Sequence, residues 1–98
     1  MAKFGELIDL KVPVLIDFYR KNEQKAATDS GILKDVAAEL GARAKIVKID
    51  VDQNKKLSEA LQIKDLPTLV LYKNGEMVWR HSGAQDAQSL IALVQKYA

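Results

Sequence analysis

The sequence predicts an α/β fold, a four-stranded mixed sheet flanked by helices in the order αβαβαββα. Three features lead there. Val12 to Tyr19 contains a nearly continuous apolar run, as in a strand buried on both faces. Glu23 to Leu40 then shows the 3.6-residue periodicity of a long helix, the kind of crossover that makes flanking strands parallel. Finally, Lys73, Asn74, Gly75 and Glu76 separate two strand-like runs, and Asn-Gly between such runs signals a tight antiparallel hairpin.

The remaining elements follow in chain order. Phe4, Leu7 and Ile8 recur at helical spacing, so residues 3–10 read as a short amphipathic helix. In the long helix the inward stripe comprises Ala26, Ala27, Ile32, Leu33, Val36, Ala37 and Leu40, and Gly41 suits a left-handed cap. Gly31, mid-helix, suggests a bend or close packing. Lys45 to Val51 is rich in branched residues and forms the second strand, with Asp52, Gln53 and Asn54 as turn residues. A short helix built on Leu57, Ala60 and Leu61 leads to Pro67. Thr68 to Tyr72 and Met77 to His81 are the hairpin strands, and Asp86 caps a last helix from Ala87 to Tyr97.

A chain of 98 residues, 48% hydrophobic and 29% charged, makes one domain spanning residues 1–98. Fifteen basic against thirteen acidic side chains give a net charge of +2, with both signs interspersed, which argues against a nucleic-acid partner. No apolar run is long enough to cross a bilayer, and the amino terminus lacks the apolar stretch of a secretory signal, so no membrane association and a cytoplasmic address are expected. The cysteine count is zero, which excludes disulfides, thiolate metal sites and cysteine nucleophiles.

Several strings in this order resemble the thioredoxin family over nearly the whole chain, apart from that family's first strand. Val14 to Tyr19 is similar to the strand carrying a buried aspartate, here Asp17. Val51 to Asn54, Leu66-Pro67-Thr68, Lys73 to Glu76, and Gly83-Ala84 are similar to further family segments at ungapped spacing. The departure lies at the signature: the two cysteine positions fall on Glu23 and Ala26, and the Gly-Pro between them on Gln24 and Lys25. In the family that the chain resembles, the helix terminus lowers the pKa of the first thiol and the second resolves the mixed disulfide. Without thiols neither step is available, and Glu23 becomes a helix-stabilising anion.

By the same resemblance, Asp17 loses its proton-acceptor task and is expected to be a buried structural polar residue paired with Lys48 on the adjacent strand. Pro67 resembles the family's cis-proline, which exposes the backbone of Leu66 to extended client peptides. The implied binding surface combines Val51, Leu66, Pro67, Gly83 and Ala84 with a second wall of Asn22, Gln24 and Lys25. Elsewhere, His81 has no nucleophile near it in sequence and reads as a strand residue. Asp50 and Asp52 read as a solvated strand end rather than a metal site.

The reading is therefore a redox-inactive, non-enzymatic binding module without cofactor or metal, whose partner is an unidentified protein or extended peptide and whose state is monomeric. Two alternatives stay open: self-association through an open edge at Lys45 to Val51, which Lys45 and Lys48 oppose, and a deliberately altered cysteine-free scaffold with no ligand.

Overall fold

The computed structural model describes residues 4–20, 25–83 and 85–97, with backbone alone for residues 25–30. Its helices are α1 (Phe4–Ile8), α2 (Lys25–Leu40), α3 (Lys55–Ala60) and α4 (Ala87–Tyr97); its strands are β1 (Val14–Tyr19), β2 (Lys45–Asp50), β3 (Thr68–Lys73) and β4 (Glu76–Ser82). β1 pairs in parallel with β2 and antiparallel with β3, and β3 pairs antiparallel with β4, so the sheet order is β2-β1-β3-β4.

Alternation along β1 divides the core into two layers. Val14, Ile16 and Phe18 pack with Ile49, Val51, Val70 and Tyr72 beneath α1 and α3. Leu15 faces the other way, joining Leu69 and Leu71 against Leu33, Val36 and Leu40 of α2 and Leu90 and Val94 of α4. These side chains are buried, and each contributes about 1.5–3 kcal/mol, a large share of the roughly 5–15 kcal/mol that separates a folded domain from its unfolded chain.

Asn74 and Gly75 both adopt positive φ, +54° and +82°, as the two-residue hairpin turn requires. Their amides also donate outward, Asn74 to the Leu10 carbonyl (3.3 Å) and Gly75 to that of Ile8 (3.1 Å). The hairpin tip thus closes the end of α1, and Phe4 lies edge-on to Tyr72 at 5.4 Å. Gly41, at φ +55°, ends α2 and opens a 3-10 turn through Arg43. The Arg43 guanidinium donates to the carbonyls of Glu39 (2.8 Å) and Leu40 (3.3 Å), satisfying the helix end.

Several boundaries differ from the sequence reading for local reasons. β1 starts at Val14 rather than Val12, with Pro13, which has no N–H, just before it; the Pro13 carbonyl still accepts from Lys45 (2.9 Å). β2 stops at Asp50 rather than Val51 because the Asp50 carboxylate takes the Asp52 amide (2.8 Å) and turns the chain. The expected start of α2 at Glu23 lies outside the described residues. The close packing expected at Gly31 is absent: a Cβ there would meet nothing within 4 Å, and α2 runs on through it.

Asp86 caps α4 by accepting the Ser89 amide (2.7 Å), and hydrogen bonds from the Ser89 backbone and then its side chain hold the carboxyl below its ordinary value. With the folded pKa depressed, the stability conferred by the cap is complete above the unfolded value of 3.8 and drains as pH falls through the lowered one. Asp86→Ala should lower Tm at about pH 7 and match the wild type at about pH 2. Thermal melts at both pH values check this; an equal gap in acid contradicts it.

Tyr72 titrates with the opposite sign. Burial raises its phenol above 10.0, with Arg80 pulling the other way, so its contribution is complete below that value and is lost as pH rises through the raised one. Tyr72→Phe should therefore shallow the alkaline fall in Tm, and melts taken from about pH 8 to about pH 11 read the change.

Candidate functional site

The strand register gathers four chain segments at one end of the sheet. β1 and β2 run parallel and finish side by side, Tyr19 opposite Asp50. β3 begins at the same end, with Thr68 opposite Phe18, and β4 finishes there, with Ser82 opposite Thr68. Arg20, Val51, Pro67 and Gly83 directly adjoin these strand ends, and α2 starts beyond β1. The carboxyl ends of parallel strands are where open α/β sheets form crevices.

One wall is the loop before β3. The Leu66–Pro67 peptide is cis, Pro67 is buried and Leu66 half-buried. The Pro67 carbonyl accepts from the Gly83 amide (2.8 Å), and Gly83 has φ +104°, a conformation that favours glycine. The buried Thr68 hydroxyl donates to the Asp65 carbonyl and closes the turn from inside. Arg80 of β4 donates to the carbonyls of Leu61 and Gln62 (2.9 Å for Gln62), fastening the end of α3 and the approach to Pro67.

The neighbouring turn follows β2. Val51 is buried and its amide donates to the Tyr19 carbonyl (2.9 Å). Asp50 is also buried: its side chain accepts the Asp52 amide, and its carbonyl accepts from the Asn54 side chain (2.9 Å). This corrects the expectation of a solvated strand end, because Asp50 builds the turn. Asp52 forms an ion pair with Arg20 (3.1 Å), linking the ends of β1 and β2. An open groove of about 220 Å³ runs between this pair and α3, walled by Arg20, Val51, Lys55 and Ile63 among others.

Asp17 is wholly buried, two residues inward from the end of β1, in register with Leu69 and with Lys48. The expected burial applies to Asp17 alone. Lys48 is exposed, its ammonium 4.6 Å above the Tyr19 ring. Asn22, Glu23, Gln24 and Ala84 lie outside the described residues, as do the side chains of Lys25 and Ala26. The structure therefore brings together Val51, Leu66, Pro67 and Gly83. His81 lies stacked on Trp79 (5.9 Å between centroids, 15° between planes). Among the described residues there is no group of three His, Cys, Asp or Glu side chains able to hold a metal ion, and no helix long and apolar enough to cross a membrane.

Two parts of this site escape sequence reasoning: the Arg20–Asp52 pair and the Arg80 anchor. The first had a signal, since each residue closely follows the end of one of two adjacent parallel strands and the charges are opposite. The second had none, because Arg80 acts on backbone carbonyls, which any sequence supplies.

Comparison with known proteins agrees with this architecture. The sequence model of the family described as thioredoxin matches residues 1–96. A thioredoxin-like protein of Synechocystis is 37% identical over 97 residues, covering 98% of this chain and 92% of that one. Chlamydia trachomatis thioredoxin is 36% identical over 84 residues, covering 86% and 81%. Among solved structures, a mutant thioredoxin from Halobacterium salinarum superposes with a TM-score of 0.84 at 32% identity, covering 99% and 87%. A shared sheet, a shared order of segments and near-complete coverage make this cysteine-free chain a member of the thioredoxin family.

Proposed function

We propose that the chain is a redox-inactive thioredoxin-fold module that binds an extended segment of another protein, with the Pro67 loop as one wall and the start of α2 as the other. The observation that carries this reading is the retention of a tightly built strand-end crevice around Val51, Leu66, Pro67 and Gly83 in a chain with no cysteine. Strand-like recognition draws its affinity from main-chain hydrogen bonds and its selectivity from side-chain pockets, and neither needs a thiol. The chain has no sulfhydryl to attack a disulfide, so catalysis of exchange has no nucleophile. In this reading the module works as a monomer, without cofactor, and is not an enzyme. Polar residues at Asn22, Gln24 and Lys25 give it clients different from those of a cysteine-bearing relative.

Reduction of insulin by dithiothreitol should proceed in its presence at the rate of the reductant alone; any acceleration refutes the non-enzymatic reading. Affinity capture from the source cell should yield a partner whose binding Leu66→Arg weakens at least about tenfold, a loss of about 1.4 kcal/mol. Lys25→Glu should weaken it as well, whereas Asp17→Asn should alter thermal stability and leave capture intact. Retention of the partner by both Leu66→Arg and Lys25→Glu would remove this surface from consideration.

A further inference from the structure

The last residues of β4 place the chain's one histidine beside the crevice. β3 and β4 slip in register between Leu71 and Tyr72, so that Trp79 stands opposite Leu71 and His81 opposite Leu69. Strand alternation puts Trp79 and His81 on one face, where half-buried Trp79 packs against the cluster formed with α2 and α4.

The imidazole of His81 stacks on Trp79 with 15° between the planes, which sets the direction of its ring nitrogens. His81 itself is exposed, and neither nitrogen has a hydrogen-bond or ionic partner among the described residues. Nε2 lies at the crevice wall, because a Cβ on Gly83 would stand 3.8 Å from it. Glycine at this position therefore leaves the nitrogen uncovered. The charged residues nearest in sequence are engaged elsewhere: Arg80 donates to the Leu61 and Gln62 carbonyls, and Asp86 accepts the Ser89 amide.

We propose that His81 determines the specificity of the crevice by hydrogen-bonding an acidic side chain of the bound segment beside Gly83. This rests on the reading of the crevice as a site for an extended segment. A carboxylate is the acceptor that fits. Hydrogen bonds to an ionised acid are about twice as strong as those between neutral groups, and an imidazole that takes up a proton meets the acid's charge as well. A client lysine brings donors alone, and a protonated ring repels it.

The test pans random peptides displayed on phage against the full chain and measures the enriched sequences as fluorescent peptides by anisotropy. They should share an Asp or Glu, and Leu66→Arg should weaken them at least about tenfold, which places them at the crevice. Replacing that acid by its amide should cost about tenfold on the wild-type chain and nothing on His81→Phe. The Phe ring keeps the stack on Trp79 and lacks both nitrogens, and the position is exposed, so the fold is undisturbed. Enrichment without an acid, or an equal cost of the amide on both chains, overturns the role of His81 and leaves the crevice reading standing. No enrichment, or peptides indifferent to Leu66→Arg, overturns the crevice reading and this role with it.

Discussion

Everything in this fold depends on β1 being buried on both faces. A strand whose Val14, Leu15, Ile16 and Phe18 are all excluded from water needs an apolar layer above and below it and a hydrogen-bonded neighbour on each side. Those requirements place α1 and α3 under one face and α2 and α4 over the other. They also fix where function can reside. Because β2 is parallel to β1 and β3 antiparallel, the end of β1, the end of β2 and the start of β3 must coincide, and the crevice follows from that topology rather than from any one side chain.

That origin explains how such a crevice persists in a chain without thiols. Its walls are held by backbone amides, one hydroxyl and one guanidinium: Gly83 on the Pro67 carbonyl, Thr68 on Asp65, Val51 on Tyr19, and Arg80 on the end of α3. None of these contacts passes through the positions where the family's cysteines would lie. The described contacts therefore hold the crevice without a thiol. The Arg20–Asp52 pair adds a link between adjacent strand ends, and since both partners are about half exposed it contributes at most about 1 kcal/mol, a local positioning effect.

How much of this was legible in the sequence depended on the range of the interaction. The Asn74-Gly75 turn, the Asp86 cap and the burial of β1 were readable because each is written into neighbouring residues by turn chemistry, capping or an apolar run. Misreadings arose where a local signal met a tertiary contact. Asp50 and Asp52 looked like solvated carboxylates, and the turn folds one of them under its own backbone. Gly31 looked like a packing residue, and the helix passes through it with open space beside it. The docking of the hairpin tip onto α1 was invisible, because it joins backbone amides to backbone carbonyls far apart in sequence.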